Sequence, residues 1–341
     1  MMLYNLTDSK TWLVTGVAGF IGSNLLENLL KLNQKVVGLD NFFSGHTRNL
    51  DEVQKLVTPD QWKRFNFMEG DIRDENTCKK ACESVGIVLH QAALGSVPLS
   101  VENPGLANDI NVKGFVNMLS ASKDAGVKRF VYASSSAVYG DSDHLPATET
   151  IIGRSISPYA TTKYINELYA DVFAITYGMK CIGLRYFNVF GPRQDPNGAY
   201  AAVIPQWFSD LLTNKTVNIN GDGKTTRDFC YIDNCVQANL LAGLADNPDA
   251  VNTVYNVSLG LETSLNDLFY IIRDRVEPYN PEVSTAVPAY RDFRSGDIRF
   301  SYADISKTSK LLGYAPEYSV LEGLQKAAQW YFDFFKTSDK E

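Results

Sequence analysis

The chain has 341 residues, 45% hydrophobic and 21% charged, with a net charge of −7. That length suits two domains or one large domain with an appended lobe, and the composition suits a sizeable core, with only the tail 336–341 reading as polar and unstructured. Acidic and basic residues are interspersed with no Lys/Arg run, which argues against broad nucleic-acid binding, and no apolar stretch approaches the roughly 18 residues of a membrane span.

In chain order, Met1–Lys10 is polar and lacks the apolar core of a signal peptide, so a cytoplasmic location is the expectation. Trp12–Thr15 is a short β-rich run ending in glycine. Phe20–Leu32 then carries Ile21, Leu25, Leu29 and Leu32 at helical spacing. Val36–Leu39, Phe65–Met68, Ile87–Leu89, Val127–Ala133 and Lys180–Leu184 are further apolar runs. Helical stretches separate most of them, including Asn111–Ala125 after the breaker Pro104-Gly105, and Tyr159–Tyr177 ended by Gly178. Short apolar strands alternating with helices predict an α/β fold: a Rossmann-type doubly wound parallel sheet, buried on both faces.

The alternation stops after about Leu184. Loops rich in Gly, Pro and Asn follow, with shorter helices at Leu265–Val276 and Leu321–Phe335 and a strand at Val254–Val257. This predicts a smaller mixed α/β C-terminal substrate lobe. The expected division is a Rossmann-type domain over 1–185, with return segments near 229–258, and a lobe drawn mainly from 186–341.

Gly16-Val-Ala-Gly19-Phe20-Ile21-Gly22 lies between the first strand and the first helix. The first glycine allows a tight turn, the second lets backbone approach a pyrophosphate, and the third lets helix pack on strand. The phosphates then meet the positive end of a helix. Asp40 ends the second strand, where a carboxylate can accept both ribose hydroxyls and repel a 2′-phosphate, favouring NAD over NADP.

Tyr159 and Lys163 open the later helix four positions apart, on one face. A phenol is a poor base at neutral pH. A neighbouring ammonium and a positive nicotinamide both favour phenolate, so the pair is expected to lower the Tyr159 pKa and make it a general base. Ser134-Ser135-Ser136 follows the fifth strand, at the C-terminal end where ligands of a parallel sheet gather. The five cysteines, Cys78, Cys82, Cys181, Cys230 and Cys235, are odd in number and scattered, and read as reduced, packed thiols. Cys78 and Cys82 share a helix face but have no further ligand nearby, so no metal is expected. His90, beside the cofactor, is expected to be a packed or hydrogen-bonded histidine.

At these residues the chain resembles an extended short-chain dehydrogenase/reductase along nearly its whole length. The motifs Val14-Thr-Gly-Val-Ala-Gly-Phe-Ile-Gly22, Asp40-Asn41, Gly70-Asp71-Ile72, His90-Gln-Ala-Ala93, Ser134-Ser-Ser-Ala-Val-Tyr-Gly140, Tyr159-x-x-x-Lys163 and Leu184-Arg-Tyr-Phe-Asn-Val-Phe-Gly-Pro192 occur in the family's order. Within that family it most resembles bacterial UDP-N-acetylglucosamine 4-epimerases of surface-polysaccharide synthesis, on Gly95-Ser96-Val-Pro98 and Asn197-Gly-Ala-Tyr-Ala-Ala-Val-Ile-Pro205.

The resemblance implies roles at matching positions. Asn41 joins Asp40 at the adenosine, Asp71 and Ile72 contact the adenine, Ala92 lines the cofactor channel and Asn111 lies near it. Tyr159 and Lys163 also hold the cofactor. Ser135 supplies the catalytic hydroxyl, with Ser136 beside it. Ser96 and Asn188 face the sugar diphosphate. Val203 and the strand Val217–Asn220, with Asn218 and Asn220, flank the uracil. Arg227 and Arg294 bind the diphosphate, and Asp297 binds the uridine ribose. Ser301 stands four residues after Asp297, where simple UDP-galactose epimerases often carry a bulky Tyr; a small residue leaves room for an N-acetyl group.

The expected activity is therefore 4-epimerisation of a UDP-N-acetylhexosamine through a 4-keto sugar, with NAD bound and no net redox change. UDP-glucose or UDP-uronic acid epimerisation are the alternatives. A 4,6-dehydratase needs Asp-Glu directly after the catalytic hydroxyl, where this chain has Ser136 and Ala137. A non-catalytic NAD sensor would typically have lost Tyr159 or Lys163. A homodimer through Asn111–Ala125 and Tyr159–Tyr177 is the expected assembly.

Overall fold

The computed structural model describes residues 8–196, 202–293 and 298–338. The apolar runs become strands β1 (Thr11–Thr15), β2 (Lys35–Asp40), β3 (Phe65–Glu69), β4 (Ile87–His90), β5 (Arg129–Ser135) and β6 (Cys181–Tyr186). With Thr253–Val257 they form one seven-stranded sheet, in the order Thr253–Val257, β6, β5, β4, β1, β2, β3. Every pairing in it is parallel. The strand expected at Val254–Val257, within the return segments near 229–258, thus lies at the sheet edge.

Side chains alternate between two cores, as the two-residue period of a strand requires. Trp12, Val14, Leu89, Val131 and Leu184 pack into one face with Leu25, Leu26 and Leu29. Leu13, Val88, Phe130, Tyr132 and Cys181 pack into the other with Phe115, Met118 and Leu119. Burial on both faces explains why the strands read as continuous apolar runs. Ile204, Trp207, Phe208, Phe269, Leu324 and Tyr331, from the C-terminal half, belong to the first core.

The chain leaves β1 toward β2 and β3, then crosses back to β4 on the other side, so the topology switches between β1 and β4. In such sheets ligands bind at the C-terminal strand ends beside that switch. Register sets those ends level: Thr15 faces Leu39 and His90, and Ser135 faces Tyr186.

Two helical expectations change. Pro104-Gly105 does not break a helix but starts one, Pro104–Asn108, because proline at the first position forfeits an N–H that has no helical partner, while Asn103 Oδ1 accepts Leu106 N at 3.0 Å. It runs through a π turn, Asp109–Lys113, into the helix Gly114–Asp124. The helix Ile232–Leu244 gave no periodic signal because ten of its residues, polar and apolar alike, are buried. The lobe is stitched by short ladders: Asn188–Phe190 with Phe229–Tyr231, Thr226–Arg227 with Thr263–Ser264, and Asn218–Asn220 with Ala289–Arg291. Among the described residues no helix is long and apolar enough to cross a membrane.

Candidate active site

A cleft of about 740 Å³ runs along the C-terminal strand ends. At one end the glycine turn shapes it. Gly16 has φ +69°, and a Cβ there would lie 2.8 Å from Ala92 N. A Cβ on Gly22 would run into Gly16 O. Gly19 caps the helix α1 (Phe20–Lys31) without a side chain, and no acidic residue occupies the first turn, so the amide end of the helix opens on the cleft. Asp40 Oδ2 accepts Ala18 N at 2.9 Å and Oδ1 accepts Phe42 N at 2.8 Å. Burial pushes its carboxyl up, against those backbone bonds. A third backbone hydrogen bond, from Asn41, also reaches this carboxylate, which only accepts and so suits the hydroxyl donors of a ribose diol. Asn41 Nδ2 donates to Asp71 Oδ2 at 2.8 Å, and the Arg73 guanidinium holds the Asp71 carboxyl down at about 2. A cradle that a Cβ would fill, an open helix N-terminus and a held carboxylate fit a dinucleotide.

At the middle of the cleft stand Ser134, Ser135, Ser136, Tyr159 and Lys163. Tyr159 and Lys163 occupy the first turns of the helix Pro158–Tyr177, which starts with Ser157 Oγ accepting Ala160 N at 3.1 Å and Pro158 at its first position. Tyr159 N donates to Ser100 Oγ at 3.0 Å. Ser135 Oγ accepts Ala137 N at 3.1 Å, which leaves its own proton for the Tyr159 oxygen, to which it is hydrogen-bonded. Lys163 Nζ donates to Ala133 O at 2.8 Å and lies 5.9 Å from the Tyr159 ring centre. Burial lowers the Lys163 pKa to about 8. The expected depression of Tyr159 is not a property of the chain by itself: burial raises it, and the Ser135 hydrogen bond only opposes that rise. The ammonium is directed at the Ala133 carbonyl rather than at the phenol oxygen.

His90 is a packed residue. Its Nδ1 lies 2.8 Å from Thr15 Oγ1, its ring stacks on Phe130 at 5.8 Å, and burial holds its pKa down at about 3. Thr15 Oγ1 also accepts Ala92 N at 3.1 Å, so the pair fixes the backbone beside Gly16.

At the far end, Asn188, Arg227 and Ser301 line the cleft. Val203 lines a smaller adjoining cavity of about 300 Å³, which shares Asn188, Val189, Gln194 and Arg227 with the first. Gly16, Gly19, Phe20, Ile21, Gly22, Asp40, Asn41, Asp71, Ile72 and Ala92 all line the main cleft as well. Four expected residues do not line either cavity. Asn111 instead brackets Leu94, accepting its N–H at 2.7 Å and donating to its carbonyl at 3.1 Å, and donates to Thr162 Oγ1. It shapes the wall from behind, because the π turn points it inward. Asn218 and Asn220 lie on a short ladder with Ala289–Arg291, outside both cavities. Ser96 caps Val97–Glu102 by accepting Leu99 N at 3.2 Å, while its neighbours Gly95 and Val97 line the cleft. Arg294 and Asp297 fall outside the described residues.

Sequence reasoning missed a buried support beneath the site. Ser134 Oγ donates to Glu167 Oε1 at 2.5 Å, and Arg185 grips both Glu167 oxygens at 2.9 and 2.7 Å. This pins the helix of Tyr159 to β5 and β6. Gln91 and Tyr186, both cleft-lining, meet at Asn239 Oδ1 at 3.1 and 3.0 Å. Their only local signal was position at a strand end. All five cysteines are buried and free, and no metal-binding cluster occurs among the described residues.

A model of the NAD dependent epimerase/dehydratase family matches residues 12–258. A putative UDP-glucose 4-epimerase of Methanocaldococcus jannaschii is 37% identical over 320 residues, 93% of this chain and 97% of that protein. The solved UDP-N-acetylglucosamine 4-epimerase of Methanobrevibacter ruminantium M1, in complex with UDP-N-acetylmuramic acid, has TM-score 0.87 and 36% identity, covering 96% of this chain and 99% of that one. The UDP-glucose 4-epimerase of Thermotoga maritima with UDP-glucose has TM-score 0.85, 36% identity and the same coverages, 96% and 99%.

Proposed function

This chain belongs to the NAD dependent epimerase/dehydratase family, and we propose that within it the protein is a UDP-sugar 4-epimerase acting on the UDP-N-acetylglucosamine/UDP-N-acetylgalactosamine pair. The observation that carries the reading is one continuous cleft, with the glycine turn and Asp40 at one end, Tyr159 and Ser135 in the middle, and Asn188, Arg227 and Ser301 at the other.

NAD, held by the glycine turn, Asp40 and the Tyr159–Lys163 face, would supply a hydride acceptor that also gives the hydride back. The chain's own groups do the rest. Tyr159 Oη takes the proton of the sugar 4′-hydroxyl and later returns it, and the Ser135 hydroxyl, bonded to that oxygen, steadies the phenolate. Burial raises Tyr159, so its ionisation depends on positive charge that binding brings to the cleft. Arg227 and Asn188 grip the diphosphate, so that the keto sugar stays tethered while it turns its other face, and the return step remains unimolecular. Ser136 and Ala137 line the cleft where a dehydratase needs an acid and a base, and neither side chain can serve.

Ser301 supports the acetylated substrates, since it lines the cleft as a small polar side chain. UDP-glucose is the second reading, favoured by the names of two of the similar proteins. Rates of the purified protein on the acetylated and the plain sugar pairs decide between them: faster conversion of UDP-galactose than of UDP-N-acetylgalactosamine would overturn the first. Leu168, Val172 and Ile175, exposed along Pro158–Tyr177, support assembly as a homodimer through that helix.

A further inference from the structure

We propose that Asp228 is a positioning residue that holds Asn188, Arg227 and Ser301 in mutual register at the sugar-nucleotide end of the cleft. The proposal rests on the reading that those three residues grip a UDP-sugar.

Asp228 is fully buried. A buried carboxylate has to be matched by donors, and this one is matched mostly by backbone. Oδ1 accepts Leu259 N at 3.1 Å, and Oδ2 accepts Gly260 N at 3.0 Å and Ala303 N at 3.1 Å. The Ser258 hydroxyl also bonds it. One side chain thus ties the turn after Thr253–Val257 to the segment two residues beyond Ser301.

Its backbone reaches the other two ligands. Asp228 O accepts Asn188 Nδ2 at 3.2 Å, and the next residue, Phe229, pairs with Asn188 in the short ladder. Arg227 precedes it directly, and Thr226 N donates to Arg299 O at 2.9 Å, laying the strand of Arg227 alongside the segment that leads to Ser301. Arg227 thus adjoins Asp228, Asn188 bonds its carbonyl, and Ser301 lies two residues from Ala303, whose amide bonds its side chain. The three amide donors suit a carboxylate, which only accepts. An asparagine has one oxygen, so its amide would face either Leu259 N or the Gly260 and Ala303 pair, donor against donor.

Burial also pushes the Asp228 carboxyl up to about 6. Among the described residues, Cys230 and Tyr314 feel its charge directly, and Arg227, Tyr231, Glu262, Tyr302 and Asp304 are the other charged or titratable groups beside it or its partners. Burial pushes Cys230 and Tyr314 up, and the Ser306 hydrogen bond holds Asp304 below the usual carboxylate range. Protonation of Asp228 below about pH 6 adds a donor where the site needs an acceptor, so the register loosens as pH falls.

The test is Asp228→Asn, read by calorimetric affinity for UDP, by KM and kcat on the UDP-sugar, and by the NAD carried through purification. The expected result is UDP affinity and KM worse by about 10- to 100-fold, the range for a hydrogen bond lost from a charged group. At the same time kcat stays within about threefold and NAD content is unchanged, because Tyr159 and the glycine turn are held by the sheet. Unchanged UDP affinity in the folded variant overturns the proposal; so does a parallel loss of kcat and NAD, which marks a general structural role. Should the variant not fold, the wild type decides: its affinity for UDP-N-acetylglucosamine, whose diphosphate carries no group that titrates near 6, weakens as pH falls through about 6, and a flat profile from pH 8 to pH 5 overturns the proposal. A wild type that binds UDP but converts no UDP-sugar refutes the epimerase reading alone and leaves the affinity test standing. A wild type that does not bind UDP overturns both.

Discussion

At the cofactor end, Gly16 N donates to Leu39 O at 2.8 Å and Asp40 takes the amides of Ala18 and Phe42, so the site is an extension of a seven-stranded sheet. At the nucleotide end, Arg227 lies in a two-residue strand paired with Thr263–Ser264, and Asn188 in a three-residue one. There, placement depends on single polar side chains such as Asp228. A long ladder holds its end residues through many cooperating bonds, whereas a short one lets a few substitutions move a ligand. The cofactor end is thus held by many bonds and the nucleotide end by few, with the sugar between them.

The sharpest break between the two regions is Tyr159→Phe. It keeps the ring and removes the proton acceptor, so turnover should fall by about 10²–10⁴-fold while UDP affinity and NAD content hold. Turnover near that of the wild type would show that the base is elsewhere. Next in size is Asp40→Ala, which removes a carboxylate from the sheet end. NAD should then be retained about 10- to 100-fold less tightly, with UDP affinity unaffected. Recovery of NADP from the denatured wild type would contradict the role given to Asp40.

Ser301→Tyr acts only at the end of the cleft away from the glycine turn. Overpacking typically costs about 1–3 kcal/mol, or roughly 5- to 150-fold in rate, and the loss should fall on the acetylated pair alone. Equal effects on UDP-galactose and UDP-N-acetylgalactosamine would mean that Ser301 does not read the 2-position.

The contrast also explains what was legible in the sequence. The sheet end was readable because its signals are local: an apolar run, then Gly16, Gly19 and Gly22 at fixed spacing, then Asp40 at the end of the next run. Tyr159 and Lys163 were readable for the same reason, sharing a helix face. The nucleotide end was readable only in part. Asp228 works through Leu259, Gly260 and Ala303, more than 30 positions away in sequence. Glu167 likewise gains its partner Arg185 by folding. The helix Ile232–Leu244 was hidden by burial on all sides, and Asn111, placed near the cofactor by the family resemblance alone, is turned onto Leu94 and Thr162 by a π turn that leaves no trace in hydrophobic spacing.

The smallest expected effect concerns His90, at the sheet end. In the fold it is neutral down to about pH 3, whereas the unfolded chain binds a proton near the ordinary value of 6.5. The unfolded state therefore holds more protons between those values, and stability is lost as pH falls below 6.5. From pH 7 to pH 5 the loss is about 2 kcal/mol. Thermal melts of the wild type and His90→Asn should differ in pH slope by about that amount, and His90→Asn should leave the shape of the pH–rate profile above pH 5 unchanged. A missing acid limb in that variant would make His90 a proton carrier instead of a packed residue.

The central claim is that the two ends of the cleft act on one sugar carbon without net redox change. Purified protein, with no NAD added, should be incubated separately with UDP-N-acetylglucosamine and UDP-glucose and the sugar nucleotides resolved. The account predicts that at least the acetylated sugar is converted to its 4-epimer until the two forms reach equilibrium, with no dehydrated product. Recovery of both substrates unchanged, or of a product that has lost water, would contradict it.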